Sequence, residues 1–230
     1  MKFAEPRAVR LRWLKIYRIV PSKFPPINFF ERVVGPEHME AAWYLESLTN
    51  DRLRDEAGDI TLVPAEERLS GAGASIVMAA FTHIGNASRF SDGSFGVYYA
   101  ARSLETAVRE TVYHRQRFLS ATNEAPGEVD MRAYVGKLKE PMRDIRAPRF
   151  KTLHDPDDYS QSQAFGRLRR TRGDFGLVYN SARHAGGECI AAFRPKAVSA
   201  PIAGPALAYV WDGERITQVY EKSAVMFELE

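Results

Sequence analysis

Cysteine is almost absent from this sequence. Cys189 is the single one among 230 residues, which excludes an internal disulfide and a thiolate-rich metal cluster. Because Cys189 lies within a run of residues typical of a strand, we expect it to be buried as a small hydrophobic residue. A chain without disulfides suits a reducing compartment, so the sequence favours a cytoplasmic protein.

Long apolar runs are missing as well. The longest, from Ile76 to Phe81, is far shorter than the roughly 20 residues that a membrane-spanning helix requires. The charged start of the chain is not followed by an uninterrupted apolar stretch with a small-residue cleavage site. We therefore expect neither membrane insertion nor secretion through a signal peptide.

The sequence also lacks a strong charge of one sign. It has 32 basic and 29 acidic residues, a net charge of +3. This small excess does not predict direct contact with nucleic acid, although it favours anionic ligands slightly.

Several familiar site motifs are absent. The segment Gly71–Ser75 lacks the third glycine of a dinucleotide-binding loop and follows a charged stretch rather than a strand. The five histidines do not pair at the spacing of metal ligands, and no Gly-x-Ser-x-Gly motif occurs. We therefore expect neither a Rossmann site, nor a metal site, nor a conventional serine hydrolase.

The organisation of the chain indicates one unit. No internal repeat or low-complexity tract divides it, so we predict a single domain over residues 1–230. Within it, residues 24–87 read as an extended N-terminal elaboration, and the apolar spacing from Pro36 to Leu53 favours a helix there.

The hydrophobic pattern predicts a mixture of strands and helices. Leu14–Val20 reads as a strand that ends at Pro21, with Arg18 near the strand end. Phe95–Ala100 reads as a strand after a Ser-Asp-Gly-Ser turn. Further strands are predicted at 133–138, 176–179 and 188–193, and a helix at 160–170. The sum is an α+β fold with a small central β-sheet flanked by helices.

A helix directly follows the second of these strands. Ser103 can cap it, and apolar or small side chains recur at the helical spacing that forms one buried face. The residues of this face are Leu104, Ala107, Val108, Thr111 and Val112. Glu110 lies at the edge of the face, so its carboxylate can point into a cleft beside the core.

Potential ligand groups lie at the ends of several predicted elements: Arg89, Tyr99, Glu110, Ser181 and Arg183. An arginine binds phosphate oxygens in bidentate fashion, and a tyrosine ring stacks on a planar cation such as nicotinamide. A carboxylate stabilises positive charge that develops on a ribose carbon. Such a set suits a dinucleotide.

The sequence resembles the RES-domain toxins of RES–Xre toxin–antitoxin pairs, a family named for arginine, glutamate and serine. The resemblance rests on the linked order of four segments between about Tyr17 and Phe193. These segments are Ser88–Gly93, Gly96–Ala101, Glu105–Glu110 and Gly176–Arg183.

The resemblance implies a fold like that of ADP-ribosyltransferase toxins and an enzyme that degrades NAD as its substrate, with no cofactor and no metal. It implies cleavage of the nicotinamide–ribose bond, with inorganic phosphate as the acceptor we favour, and a Xre-type antitoxin as partner. Transfer of ADP-ribose to water or to a protein target stays open. So does a module that has lost activity and only binds an antitoxin.

The motif match also assigns residues. It implies catalytic roles for Arg89, Tyr99 and Glu110 and substrate-binding roles for Arg18, Gln163 and Ser181. The residues alone would place Glu110 on a solvated helix flank, paired with His114 four residues later. Asn180 departs from the pattern, because the family commonly has proline there, and the segment 24–87 is longer than in compact members.

Overall fold

One mixed β-sheet organises the chain. The computed structural model describes residues 3–22 and 58–222, and the elements below are those of these two ranges. The strands are β1 (Arg7–Val9), β2 (Ile16–Pro21), β3 (Tyr98–Ala101), β4 (Gly127–Gly136), β5 (Met142–Asp144), β6 (Gly176–Asn180), β7 (Glu188–Ala192), β8 (Ile202–Trp211) and β9 (Ile216–Glu221). The helices are α1 (Ala74–Thr82), α2 (Leu104–Thr122) and α3 (Ser160–Thr171), with short 3-10 helices at Ile60–Leu62, Ala65–Glu67, Pro148–His154 and Pro195–Ala197.

The order of strands across the sheet is β1-β5-β6-β7-β3-β2-β4-β8-β9. Neighbours are antiparallel except β5 and β6, which run parallel. The short strand β3 is therefore central, between β7 and β2, and segments that are far apart in sequence meet beside it.

Both faces of the sheet are covered. Val178 and Ile190 point to the face where α1 packs, and they join a cluster that includes Val77 and Met78 of that helix. Their neighbours on the same strands, such as Leu177, point to the other face and pack with side chains of α2 and α3. The period of two along each strand thus produces three layers, with helices on both sides of the sheet.

Helix α2 forms as its sequence predicts. The Ser103 hydroxyl accepts a hydrogen bond from the Thr106 amide at 3.2 Å, which caps the helix N-terminus. Its apolar stripe packs on β2, β3 and β9, and the Thr111 hydroxyl lies 2.7 Å from that of Tyr209. The helix ends at Asn123, which takes the left-handed conformation with φ of 52°.

The structure confirms the α+β class, with a sheet more extensive than the small one expected, because β1, β5, β8 and β9 add to it. The strand predicted from Phe95 begins only at Tyr98. At Gly96 the chain runs so close to α1 that a Cβ would lie 2.2 Å from the Ala80 carbonyl oxygen, so this segment follows the helix instead of the sheet.

Two further expectations concern the N-terminal part. Arg18 lies within β2, three residues before its end, because pairing with β4 continues as far as Pro21. The helix predicted between Pro36 and Leu53 lies outside the described residues. The described part of the segment 24–87 includes α1, whose Val77 and Met78 are fully buried in the core.

A buried ion cluster ties α3 to the N-terminal region. Arg169 is 1% exposed, and its guanidinium bonds to the carboxylates of Asp174 and Glu5. Asp174 also accepts a hydrogen bond from Arg143 Nε at 2.6 Å. A buried charge needs such partners, because desolvation without them costs several kcal/mol.

We expect the Asp174→Asn variant to lower the free energy of unfolding by about 3 kcal/mol, because it leaves Arg169 buried with too little negative charge. Urea denaturation measures the loss. Glu105→Gln is the matched control, since Glu105 pairs with Arg109 on the exposed surface of α2, and it should cost less than about 1 kcal/mol. Equal losses in the two variants would show that the buried cluster contributes no more than a surface pair.

Candidate functional site

A cavity of about 390 Å³ lies between α2, the strands β2 and β3, and the loop that precedes β3. Four of the six predicted site residues line it: Arg18, Arg89, Tyr99 and Glu110. These residues come from four different elements, so the site exists only in the folded chain. A volume of this size falls in the range of small-molecule sites.

Arg18 enters the cavity wall from β2. Its Nη1 donates to the Tyr99 carbonyl oxygen at 3.2 Å, and its guanidinium lies 4.7 Å from the centre of the Tyr98 ring. Burial lowers the pKa of Arg18, which the two tyrosines oppose, but a guanidinium remains charged at physiological pH. Its buried Nε has no hydrogen-bond partner among the described residues, which is uncommon for a buried donor.

Tyr99 connects β3 to the loop that precedes it. Its hydroxyl accepts a hydrogen bond from the Phe90 amide at 3.0 Å and lies 2.9 Å from the Ser88 hydroxyl. Burial raises the pKa of Tyr99 to about 12, so the phenol stays protonated. The hydroxyl of Tyr99 thus positions the loop, and Tyr99 is also one of the residues that line the cavity.

Helix α3 holds the same loop from its other side. The Ser162 hydroxyl donates to the Arg89 carbonyl oxygen at 2.5 Å, and Gln163 Nε2 donates to the Ser88 carbonyl oxygen at 3.0 Å. At Gly166 a Cβ would lie 2.1 Å from the Phe90 carbonyl oxygen, so the helix can approach this closely only with glycine there. Gln163 therefore supports the loop and does not line the cavity.

Arg89 is buried, with 8% of its surface exposed. Its Nη1 donates to the Asp155 carbonyl oxygen at 2.6 Å, and its guanidinium lies 4.6 Å from the centre of the Tyr159 ring. One nitrogen and one face of the guanidinium are thereby fixed, which orients the planar cation at the cavity.

Glu110 is held by the predicted serine. The Ser181 hydroxyl donates to Glu110 Oε1 at 2.6 Å, and the same hydroxyl accepts hydrogen bonds from the amides of Arg183 and His184 at 3.1 and 2.9 Å. Ser181 therefore both shapes the turn after β6 and orients the carboxylate. No ion pair joins Glu110 to His114 within residues 3–22 and 58–222, so the serine replaces the pairing that the helical spacing allowed.

Arg183 does not line the cavity. Its guanidinium stacks on Tyr113 at 3.3 Å from the ring centre, and its Nη2 donates to the Pro156 carbonyl oxygen at 2.5 Å. These contacts explain its position on the outer side of α2.

Asn180 occupies the position where the family commonly has proline. Its amide donates to His154 Nε2 at 3.3 Å and its side chain donates to the Arg146 carbonyl oxygen at 2.9 Å. His154 in turn lies 3.0 Å from the Phe150 carbonyl oxygen through Nδ1, so the ring is neutral with the proton on Nδ1. Burial lowers the pKa of His154, in agreement with this state. Asn180 thus forms hydrogen bonds of its own at the position where proline is common.

Sequence reasoning missed several side chains of the cavity: Tyr17, His114, Arg117, Tyr159 and Tyr179. His114 and Arg117 could have been found, because they follow Glu110 at i+4 and i+7 on one side of the helix. Tyr159 reaches Arg89 only through the packing of α3 and has no local signal. Cys189 is buried, as predicted.

Within residues 3–22 and 58–222, no group of three or more His, Cys, Asp or Glu side chains is arranged to hold a metal ion. Nor does this part of the chain contain a helix whose length and apolar character would let it cross a membrane.

Comparisons with known proteins identify similar sequences and structures. The family model described as RES domain matches residues 66–212. A protein of Sinorhizobium fredii, named Uncharacterized protein y4oC, is 32% identical over 212 residues, which is 90% of this chain and 86% of that protein. Among solved structures, the M. tuberculosis MbcT–MbcA toxin–antitoxin complex matches with a TM-score of 0.41 and 10% identity, over 95% of this chain and 86% of that one.

We expect the Tyr99→Phe variant to loosen the loop from Ser88 to Phe90, because the Phe90 amide loses its acceptor while the ring stays in place. A buried donor left without a partner costs about 1–3 kcal/mol. Hydrogen exchange at the Phe90 amide should accelerate, whereas Tyr220→Phe, at an exposed tyrosine of β9, should leave it unchanged. An unchanged exchange rate in Tyr99→Phe would show that the hydroxyl does not hold the loop.

Proposed function

The chain belongs to the RES domain family, and on that premise we propose that it is an NAD-degrading enzyme of toxin type. In this proposal it breaks the bond between nicotinamide and ribose and transfers ADP-ribose to inorganic phosphate, with water as the competing acceptor. The observation that carries the proposal is the meeting of Arg18, Arg89, Tyr99 and Glu110 around one cavity.

The cations of the cavity suit the phosphates of a dinucleotide. A guanidinium donates two parallel hydrogen bonds to phosphate oxygens, which fixes the ligand as well as attracting it. Arg89 is oriented by Asp155 and Tyr159, and Arg18 retains a buried donor without a partner. These two residues would hold the pyrophosphate or ribose oxygens.

Tyr99 and Glu110 suit the reacting half of NAD. Tyr99 lines the cavity, and its ring would stack on the positively charged nicotinamide. As the bond from ribose C1′ to the nicotinamide nitrogen breaks, its electron pair returns to the pyridinium ring and positive charge develops on the ribose. The Glu110 carboxylate would stabilise that charge, as carboxylates do in glycoside cleavage.

The remaining predicted residues act in this proposal through their neighbours. Ser181 fixes one oxygen of Glu110, and Gln163 fixes the loop that carries Arg89. Both stay predicted substrate-binding residues in the family assignment, but their contacts support a positioning role. The chemistry requires no metal, because charged side chains supply the stabilisation and NAD is the substrate.

We also propose that an antitoxin of the Xre type binds this chain and closes the cavity. The proposal rests on family membership and on the opening of the cavity to solvent. Purified antitoxin should therefore stop nicotinamide release in proportion to the complex formed, and release at the free rate would contradict inhibition by closure.

Product analysis tests the reaction. The purified chain, incubated with NAD and phosphate, should release nicotinamide and form ADP-ribose 1-phosphate, and without phosphate it should form ADP-ribose. Label from NAD that appears mainly on a protein of an added lysate would instead identify a protein acceptor. No nicotinamide release under any of these conditions would contradict the enzyme and favour a binding module.

The Glu110→Gln variant should lower kcat by about 10²-fold, because it removes an electrostatic stabiliser of the transition state while keeping the shape of the side chain. KM should change far less, and the free energy of unfolding by no more than about 1 kcal/mol. Nicotinamide release and urea denaturation on the same preparation measure both. Glu105→Gln, on the exposed side of the same helix, is the control that should keep full activity, and a fully active Glu110→Gln enzyme would end the case for this site.

A further inference from the structure

His114 differs from the other histidines of the described residues. In the other three, a ring nitrogen lies within hydrogen-bond distance of another residue. His83 and His154 contact the carbonyl oxygens of Ala79 and Phe150, and His184 contacts the hydroxyl of Thr106. No described residue forms a hydrogen bond with either ring nitrogen of His114, which lies on the wall of the cavity. A hydrogen bond within the protein, like those of the other three histidines, therefore does not explain the position of His114.

The position of His114 links it to Glu110. The two residues are one turn apart on α2, where side chains four positions apart have Cβ atoms about 5–6 Å from each other. Arg117 follows one further turn along the same side, and all three side chains line the cavity. An imidazole at this distance from the carboxylate can contact a molecule that approaches the same ribose carbon.

Partial burial and the surrounding charges together lower the pKa of His114 and so favour a neutral imidazole. Partial desolvation lowers its pKa below the usual 6.5, and the Glu110 carboxylate on the same helix opposes this effect. Three cations reinforce the lowering: Arg183 from the turn after β6, Arg89 from the loop before β3 and Arg117 from α2. A neutral imidazole without a partner has one unprotonated nitrogen free to accept a proton.

We propose that His114 is the proton acceptor for a neutral nucleophile, such as water or a protein hydroxyl, that attacks the ribose at this site. This inference rests on the proposed cleavage of NAD and adds to it the residue that governs which acceptor is used.

With water as the nucleophile, one bond to C1′ breaks, another forms and one proton is transferred. The bond between C1′ and the nicotinamide nitrogen breaks, and its electron pair neutralises the pyridinium. A lone pair of the water oxygen forms the new bond to C1′, and one proton of that water passes to the free nitrogen of His114. The imidazolium then releases the proton to solvent, because the side chain is exposed at the cavity wall.

Phosphate, unlike water, does not need a proton acceptor to attack the ribose. The hydrogen phosphate dianion attacks through an oxygen that already carries negative charge, so no proton has to leave during bond formation. His114 therefore contributes to hydrolysis and to transfer onto a hydroxyl, but little to phosphorolysis by the dianion. The nearby arginines attract the dianion without any help from the imidazole.

The experiment compares two reactions of the full-length chain at mildly alkaline pH: NAD hydrolysis without phosphate, and phosphorolysis with saturating phosphate. His114→Asn should lower the hydrolysis rate by about 10²-fold, the lower end of what a positioned general base contributes, and change phosphorolysis by less than about threefold. His114→Gln is the second variant, and His83→Asn, outside the cavity, is the control. Melting temperatures show that the variants are folded.

The pH profile gives a readout that a structural role would not move. Hydrolysis by the parent enzyme should fall as the pH drops through the pKa of His114, below the usual value for histidine, and this limb should be missing in His114→Asn. If both reactions fall equally, or neither falls, or the acid limb persists, the proposal is overturned while NAD cleavage stands. If the parent chain itself releases no nicotinamide, the proposed function fails first and this inference with it.

Discussion

The backbone of residues 88–90 must be held between β3 and α3, and the cavity depends on this constraint. The Tyr99 hydroxyl holds the loop from the strand, and Ser162 and Gln163 hold it from the helix. Gly166 permits the close approach that brings these groups within reach. Because Arg89 lies in the middle of this loop, the direction of its guanidinium follows from the hydrogen bonds of its neighbours rather than from its own rotamer alone.

The charged side chains around the cavity are mostly positive. Arg18, Arg89 and Arg117 line it together with a single described carboxylate, that of Glu110. Burying cations without a full set of partners is costly, and here aromatic rings and backbone carbonyls offset part of that cost. Such an arrangement is typical of a binding site for an anion, because the ligand completes the interactions that the protein leaves open.

The sequence allowed the prediction of elements whose signals are local. Helix α2 has a capping serine and a regular apolar stripe, and α3 and the strands β6 and β7 have clear boundaries, so all four lie close to where we expected them. Strand β8 escaped prediction because its Ala, Gly and Pro residues do not alternate in polarity, and its burial comes from pairing with β4 more than sixty residues earlier. The same distinction between local signals and tertiary contacts applies to the residues of the site. The family motifs indicated Arg89, Tyr99 and Glu110, whereas the contact of Tyr159 with Arg89 depends on tertiary packing.

The geometry also separates two kinds of residue among those that the family resemblance assigns to the site. Arg89, Tyr99 and Glu110 line the cavity, whereas Gln163 and Ser181 each bond to a group that positions one of these residues. A supporting residue of this kind affects a ligand only through the group it holds, so the effects of removing both are not independent. A motif residue can therefore be essential to a site without contacting the substrate. Ser181 illustrates the point, because one hydroxyl closes a turn and fixes a carboxylate, and neither task requires a ligand to be present.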